Sequence, residues 1–187
     1  MSAVCIDTIE TQHQANMSSY SATLDTLIPT GSWTLYYHPN NETKWTLSSF
    51  IRIATVSTWG EFWTLMNTIG TDNLHRAQFF WMRDPIPPLW ENKDNIRGGN
   101  YSARVGDTDV GEVFIRYAIT MMLGELAYDT ANLMNGISIA PKKGFAIVKF
   151  WNNRADMFSS INDIHTLHKS VTASELMYTP FTQKKFY

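Results

Sequence analysis

The segment Ile137-Ser-Ile-Ala-Pro-Lys-Lys-Gly-Phe-Ala-Ile-Val-Lys-Phe-Trp151 holds two apolar runs on either side of a Pro-Lys-Lys-Gly turn. Both runs contain β-branched or aromatic residues, and they predict strands at residues 137–140 and 145–151. The connection is too short for the crossover that parallel strands require, so the two strands form an antiparallel hairpin. The segment therefore predicts a fold built on an antiparallel sheet.

The rest of the chain adds strands and helices around this hairpin. Aromatic and β-branched runs predict further strands at residues 33–37, 47–56, 78–83 and 102–105, and a last one before Lys184. Apolar periodicity predicts helices at about 58–69 and 110–126, and we expect a third helix at about 153–169. The strands and helices do not alternate in βαβ order. We therefore expect the α+β class, with one antiparallel sheet and three helices on one of its faces.

Composition restricts the class of protein. The chain has 187 residues and a net charge of −2, which excludes general polyanion binding but is compatible with a local basic patch. Only 17% of the residues are charged, whereas 13% are aromatic and seven are Trp, which favours the binding of flat ligands or of a partner that uses large rigid anchors. The single cysteine, Cys5, excludes a disulfide scaffold.

The sequence also suggests a compartment and a domain organisation. No apolar run reaches the 18 residues of a membrane span, and the first Lys or Arg is Lys44, so neither a secretory nor a transit leader is expected. We expect a cytoplasmic or nucleocytoplasmic monomer. Residues 1–30 are rich in Ser, Thr, Gln and Asn and predict a flexible tail, and residues 31–187 form one domain.

Motifs for catalysis and metal binding are weak. Gly136-Ile-Ser-Ile-Ala140 partly resembles a nucleophile elbow, but it lies on a predicted strand, and an ordinary sheet serine is the favoured interpretation. His165 and His168 lie three residues apart on a predicted helix. Asp163 is the only carboxylate nearby, so surface histidines are favoured over a metal site. We expect no enzyme, no catalytic residues, no cofactor and no metal.

The most specific chemistry lies in the segment Pro88-Leu-Trp-Glu-Asn-Lys-Asp-Asn-Ile-Arg-Gly-Gly99. Trp90 follows a proline-stiffened stretch and supplies a flat stacking surface, and the adjacent Glu91 accepts hydrogen bonds from two neighbouring N–H groups. Guanine presents such a donor pair on its Watson–Crick edge, where RNA-binding proteins read splayed bases. Trp45, on a second polar loop, is placed to close the other side of a stack. Tryptophans of the core or its rim are the alternative.

Further motifs follow in order along the chain: Trp33-Thr-Leu-Tyr-Tyr37, Thr58-Trp-Gly-Glu-Phe-Trp-Thr-Leu-Met-Asn67, Leu123-Gly-Glu125 and Lys143-Gly144 ahead of Trp151. Together with Trp45 and the Trp-Glu and Arg-Gly-Gly motifs, they resemble the eukaryotic translation initiation factor 4E family, which binds the messenger-RNA cap. The resemblance covers residues 33 to about 155, and more loosely the C-terminus. It implies a cupped antiparallel sheet with three helices on the convex back and a cap slot on the concave side.

The resemblance implies roles for four slot residues. Trp45 and Trp90 are similar to the indoles that sandwich 7-methylguanine, Glu91 to the acceptor for the guanine edge, and Trp151 to the residue that touches the N7-methyl group. Methylation at N7 makes the base cationic, which favours stacking between electron-rich indoles and strengthens hydrogen bonds to a carboxylate. The expected ligand is 5′-capped messenger RNA, with 7-methyl-GTP as its minimal form.

Lysines near the hairpin turn are the expected phosphate ligands. The family's turn arginine falls on Pro141 or Lys142, so Lys142 or Lys143, together with Lys149, is assigned to the triphosphate. Period-2 alternation puts Lys149 on the same face as Trp151. Solvated lysines on a turn are the alternative. After Gly-Gly the family often has an Arg, but Asn100 stands here, and the C-terminal loop that reaches the next nucleotide is short.

The resemblance also implies a helical peptide of an initiation scaffold or regulatory protein on the convex face. Trp63 matches the family's anchor and is about 110° from the apolar stripe of its helix, so we expect it to be half covered. Trp59, one turn earlier, widens the patch. The predicted outward face of the second helix departs from the family: Val113, Arg116, Tyr117, Thr120 and Gly124. Because Arg116 stands where a peptide leucine packs, we expect weak binding of the usual peptide and a natural partner with an acid facing Arg116.

Two alternatives to an initiation factor belong to other classes. One is a cap-binding repressor or decoy that occupies caps without engaging the usual scaffold. The other is a general single-stranded RNA-binding module that stacks bases on Trp. Titration with 7-methyl-GTP against GTP separates a cap binder from the general module, and pull-down by a scaffold fragment separates an initiator from a repressor. Retained Trp33 and Trp45 resemble the translation-promoting class.

Overall fold

The computed structural model of the chain describes residues 23–183, whose centre is one curved, unclosed sheet of seven antiparallel strands. In chain order the strands are β1 (Trp33–His38), β2 (Ile51–Val56), β3 (Gln78–Arg83), β4 (Gly99–Gly106), β5 (Met134–Pro141), β6 (Phe145–Asn152) and β7 (Met177–Pro180). Their order across the sheet is β2-β1-β3-β5-β6-β4-β7. The predicted hairpin is β5–β6, with Ile137 opposite Phe150. The predicted fold class is confirmed.

Two α-helices pack on one face of the sheet, α1 (Trp59–Ile69) and α2 (Val110–Leu123). The predicted capping box starts α1: the Glu61 N–H donates to Thr58 Oγ1 at 3.2 Å, and the Thr58 N–H donates to the Glu61 carboxylate at 3.1 Å. Trp63 is 39% exposed, which confirms the expectation of a half-covered indole. Neither helix is long and apolar enough to cross a membrane, nor is any other helix within residues 23–183.

The prediction of a helix at residues 153–169 is wrong. That segment instead contains two short 3-10 turns, Ala155–Met157 and Ile161–Asp163, and then an extended stretch. The Asp163 carboxylate accepts the N–H groups of Ser159 and Ser160, which closes a single turn, and beyond it His165 donates its N–H to the Leu126 carbonyl. Tertiary hydrogen bonds therefore override local helical periodicity here. A longer 3-10 helix, Thr71–Arg76, packs against α2.

Strand alternation gives the sheet two different faces. On β6, Ala146, Val148 and Phe150 are buried toward the helices, where Phe150 stacks on Tyr117 of α2 at 4.2 Å. The alternate residues of β6 face away from the helices: Phe145, Ile147, Lys149 and Trp151. A second, smaller apolar cluster lies on that concave face and consists of Phe50, Phe80, Met82, Trp151 and Phe181.

Residues 23–30, which the sequence assigns to the flexible tail, lie against the start of α1. The Gly60 N–H donates to the Leu24 carbonyl at 2.7 Å, and the Ile28 N–H donates to the Ser57 carbonyl at 2.8 Å. Ile28 is only 3% exposed, so this stretch packs on the domain. The remainder of the predicted tail, residues 1–22, and the Lys184-Lys185 pair lie outside the described residues.

Candidate functional site

A cavity of about 250 Å³ opens on the concave face of the sheet. Five residues assigned to cap binding from the sequence line it, although they come from separate parts of the chain: Trp45, Trp90, Glu91, Lys149 and Trp151. Gln78, Phe80 and Ser138 complete the floor, and the short Pro88-Leu89 stretch forms part of one wall. Lys142 and Lys143 do not line the cavity but lie exposed at the nearby β5–β6 turn.

Trp45 forms one wall of the cavity and is held by a buried histidine. The indole is 50% exposed and lies parallel to the His38 ring, with centroids 4.0 Å apart and 4° between the planes. His38 Nε2 is 2.9 Å from the Lys44 carbonyl oxygen, which only accepts, so Nε2 carries the hydrogen. The imidazole thus covers one face of the indole. His38 was not identified from the sequence because His38-Pro39 marks only the end of a strand there.

Trp90 and Glu91 lie on a loop that two buried asparagines tie to the sheet. The Asn95 amide donates to the carbonyls of Pro87 at 3.0 Å and Leu89 at 2.8 Å. Asn135 on β5 donates in turn to Asn95 Oδ1 at 2.9 Å. Both asparagines are at most 2% exposed. The backbone immediately before Trp90 is therefore fixed by side-chain hydrogen bonds. Neither asparagine stands in a pattern from which this role could be recognised in the sequence.

The Glu91 carboxylate is exposed at the rim of the cavity. Within residues 23–183 it has neither a hydrogen-bond partner nor an ion-pair partner, so both of its oxygens are available to donors of a ligand. A carboxylate next to an aromatic wall accepts two parallel N–H groups without moving a partner of its own.

Trp151 forms the floor and is locked in place. Its Nε1–H donates to Ser138 Oγ at 2.9 Å, and its ring packs edge-on against Phe80 with centroids 6.2 Å apart. The indole is only 6% exposed. Because its N–H is already used, Trp151 offers carbon atoms to a ligand. Ser138, the serine of the partial elbow motif, acts as the acceptor for this indole on a regular strand, in agreement with the favoured interpretation.

Lys149 brings a positive charge to the cavity. Burial lowers the pKa of its ammonium, and the nearby charge of Lys142 lowers that pKa further. The salt bridges among the described residues involve other cations, so Lys149 has no carboxylate to offset this cost. An anionic ligand would favour the charged form of the lysine and raise its pKa again. Asn100, the residue after Gly-Gly, is 3% exposed and directs its amide toward the Thr179 carbonyl at 3.5 Å.

A family model described as Eukaryotic initiation factor 4E matches residues 30–185. The chain belongs to this family. The eukaryotic translation initiation factor 4E of Dictyostelium discoideum is 22% identical over 156 residues, which cover 79% of this chain and 62% of that protein. The homologous factor of Eremothecium gossypii is 27% identical over 128 residues, which cover 64% and 59%. The chain thus spans roughly three fifths of the length of these curated relatives.

The fold of this chain is similar to that of solved structures, among them two eIF4E-3 complexes. Ascaris suum eIF4E-3 in complex with the m7G cap aligns with a TM-score of 0.60 at 16% identity, covering 71% of this chain and 76% of that chain. C. elegans eIF4E-3, in complex with the 4E-binding protein Mextli and a cap analog, aligns with a TM-score of 0.62 at 19% identity, covering 72% and 77%. At this level of identity the similarity shows the fold alone.

The convex face differs in part from the expectation. Trp63 is exposed and Trp59 half-buried, and Arg116 is exposed, whereas Thr120 donates its hydroxyl to the Arg116 carbonyl at 2.9 Å. The outward orientation predicted for Tyr117 and Val113 is wrong, because both are fully buried. Tyr117 stacks on Phe150 and accepts the Leu167 N–H at 3.0 Å, so the 153–171 segment covers this flank of α2.

Arg116 is already paired within its own helix. Its Nε and Nη2 donate to the Glu112 carboxylate at 2.8 and 2.7 Å. The same carboxylate lies 3.5 Å from His168 Nε2, and His165 packs on Tyr128 with ring centroids 3.9 Å apart. Across residues 23–183 no group of His, Cys, Asp and Glu is arranged to hold a metal ion. The two histidines therefore contact different protein groups: His168 the Glu112 carboxylate and His165 the Tyr128 ring.

Proposed function

We propose that this member of the initiation factor 4E family binds the 7-methylguanosine 5′ cap of messenger RNA and recruits the message for translation initiation. The observation that carries the proposal is the cavity in which Trp45, Trp90, Glu91 and Trp151 meet. Aromatic walls beside an unpaired carboxylate suit a flat, cationic base with two adjacent donors. The 7-methylguanine base has all three properties.

Stacking supplies the first part of the affinity. A base that enters between Trp45 and Trp90 gains roughly 1–3 kcal/mol per stacking contact. The positive charge of the methylated base adds a cation–π attraction of about 0.5–2 kcal/mol, which an unmethylated guanine lacks. The parallel imidazole of His38 behind Trp45 supports a preformed wall, so less side-chain entropy is lost when the base binds.

The edge of the base supplies selectivity. In this proposal the N1 and N2 donors of guanine bind the two oxygens of Glu91, and adenine lacks that pair of donors. The positive charge on the methylated ring strengthens both hydrogen bonds. Trp151, whose N–H is used by Ser138, offers its carbon surface to the N7-methyl group.

Phosphates complete the ligand. Lys149 lies in the cavity without a carboxylate partner among the described residues, and Lys142 and Lys143 extend the positive charge toward the turn. Binding of the triphosphate there would offset the burial cost of the Lys149 charge. The related structures support cap binding in general, since the Ascaris suum protein is in complex with the m7G cap and the C. elegans protein with a cap analog.

Quenching of tryptophan fluorescence by 7-methyl-GTP and by GTP tests the proposal. We expect 7-methyl-GTP to bind at least tenfold more tightly, because the cation–π term and the stronger edge bonds belong to the methylated base alone. Equal affinities for the two nucleotides would contradict a cap-binding function and favour a general single-stranded RNA module.

A second candidate, a cap-binding repressor that does not engage the usual scaffold, is favoured by Arg116 on α2. A peptide leucine that packs there has to bury or displace the Arg116–Glu112 ion pair, which is costly. We propose that a helical peptide still uses Trp63 as its anchor, because this indole is exposed on α1. The C. elegans protein is likewise in complex with a protein partner, the 4E-binding protein Mextli. An acidic residue of the natural partner would bind Arg116 Nη1, because Nε and Nη2 already bind Glu112.

Calorimetry separates the two roles when it uses the usual helical peptide of the family's scaffolds, which carries the motif Tyr-x-x-x-x-Leu-hydrophobic. We expect weak binding, strengthened by Arg116→Leu and abolished by Trp63→Ala. Tight binding that depends on Trp63 but is indifferent to Arg116→Leu would contradict the altered partner surface and leave the initiation role as the better explanation.

A further inference from the structure

The concave face of β6 continues beyond the cavity as a half-buried strip. Alternation places Trp151, Lys149, Ile147 and Phe145 on this face, because the residues between them are buried toward the helices. The register with β4 is unbroken from Gly99 to Gly106, and it puts Arg104 opposite Ile147. The strip therefore leads from the floor of the cavity to the β5–β6 turn.

Arg104 and Phe145 form a stacked pair at the far end of this strip. The guanidinium carbon of Arg104 lies 3.9 Å from the centroid of the Phe145 ring. Gly106 stands opposite Phe145, and a Cβ added at Gly106 would meet nothing within 4 Å, so the space beside the ring is open. Arg104 is exposed and has no carboxylate partner within residues 23–183.

The electrostatics of the strip suit an anionic chain. The strands β4, β5 and β6 contain no Asp or Glu, and Arg104 and Lys149 share the strip with Lys142 and Lys143 at the turn. A chain whose net charge is −2 thus concentrates four cations beside one cavity. Such a basic path with an aromatic ring is typical of sites that follow a single-stranded backbone and stack its bases.

The neighbouring strand leaves this end of the strip uncovered. The four residues of β7 pair with β4 only from Gly99 to Ser102, so Arg104 lies past the last paired residue. Phe145 is four residues from Lys149 along an extended strand, a distance of about 13 Å. A triphosphate that begins in the cavity and passes Lys149 would bring the next nucleoside to this position.

We propose that Arg104 and Phe145 form a subsite for the first nucleotide that follows the cap triphosphate. The inference rests on the proposed cap-binding function and deepens it. The base stacks on the uncovered side of the Arg104–Phe145 pair, while its phosphate lies near Lys142 and Lys143. Because stacking is tolerant of sequence, the subsite takes any base, with the larger purines favoured.

The test compares 7-methyl-GTP with the dinucleotide cap 7-methyl-GpppA on the full chain. The central variant is Phe145→Leu, which keeps the charge and the apolar bulk but removes the aromatic face. We expect its affinity for 7-methyl-GTP to stay within about twofold, and its affinity for 7-methyl-GpppA to fall about five- to tenfold, as expected for one lost stacking contact. Arg104→Lys, which keeps the charge and loses the plane, should reproduce most of that loss.

Arg76→Ala is the matched control, because it removes a positive charge from the 3-10 helix beside α2. It should change neither the affinity for 7-methyl-GTP nor the affinity for 7-methyl-GpppA. The stacking subsite is overturned if Phe145→Leu loses the same affinity for both ligands or loses affinity for neither. It is also overturned if Arg104→Lys binds 7-methyl-GpppA as tightly as the unmodified protein. Failure of the cap-binding function itself has a different signature, because the unmodified protein would then bind 7-methyl-GTP no better than GTP.

Discussion

Replacing Asn95 by Ala tests whether the Trp90 loop is held ready for the ligand. The Asn95 side chain makes three hydrogen bonds: two donated to the carbonyls of Pro87 and Leu89, and one accepted from Asn135. The substitution removes all three and leaves two carbonyls and one amide N–H without their partner. Asn95 is fully buried, so water does not readily replace the lost group.

The magnitude follows from this count. At about 1 kcal/mol net per hydrogen bond, we expect the free energy of unfolding to fall by about 3 kcal/mol. The free energy of unfolding of a natural domain is about 5–15 kcal/mol, so we expect the variant to stay folded. Ordering the backbone of one residue costs about 1–2 kcal/mol. If the lost hydrogen bonds leave one such residue uncompensated, the ordered conformation of the loop becomes about tenfold less populated than the disordered one, at about 10%. The apparent affinity for 7-methyl-GTP then falls about tenfold.

Fluorescence titration with 7-methyl-GTP and urea unfolding measure the two effects separately. Asn132→Ala is the matched control, because Asn132 is also a buried amide but accepts from Asn152 at 2.8 Å and does not hold the carbonyls of Pro87 and Leu89. It should lower stability and leave affinity unchanged. If Asn95→Ala lowers stability as calculated and still binds 7-methyl-GTP like the unmodified protein, the loop does not depend on Asn95 and the reasoning is refuted.

Three further predictions concern the cavity. Trp45→Ala should weaken 7-methyl-GTP binding about tenfold or more in a fluorescence titration, and an unchanged affinity would remove Trp45 from the stack. Glu91→Ala should weaken 7-methyl-GTP binding by about 2–3 kcal/mol in calorimetry, and Glu91→Gln should weaken it nearly as much, because the amide turns a donor toward the guanine donors. If the Gln variant binds 7-methyl-GTP as tightly as the unmodified protein, Glu91 does not contact the guanine edge. Because the pKa of Lys149 is lowered by burial and by Lys142, the affinity for 7-methyl-GTP relative to 7-methylguanosine should fall as the pH rises through that lowered pKa. Lys149→Arg, which stays charged, should flatten that pH profile, and an unaltered profile would mean that another group titrates.

The strands and the walls of the cavity were predictable because their signals are local. Alternation on β6 fixed the face of Lys149 and Trp151 before any tertiary contact was known, and the structure places both in the cavity. The capping box at Thr58 likewise fixed the start of α1. In each case a short period or a short spacing carries the information, and tertiary packing agrees with it.

The supports of the cavity were not predictable for the opposite reason. His38 and Asn95 act through partners that are distant or lie in irregular backbone: the Trp45 indole, the carbonyls of a proline-rich loop and an amide on β5. A polar residue in such a segment looks like an ordinary turn former from its neighbours alone. Only its burial distinguishes it, and burial depends on the assembled sheet.

The orientation of Tyr117 depends on a distant segment of the chain. The pattern of α2 alone predicts that Tyr117 faces outward, because it carries no information about what residues 153–169 do. The chain instead runs extended past Ile164, and its Leu167 N–H donates to the Tyr117 hydroxyl, which buries the ring. The proposed partner surface on α2 therefore presents Arg116 and its ion pair with Glu112 rather than a phenol. Because Trp63 lies on α1 and is exposed, we expect any partner to make its apolar contacts with α1 and its electrostatic contacts with α2.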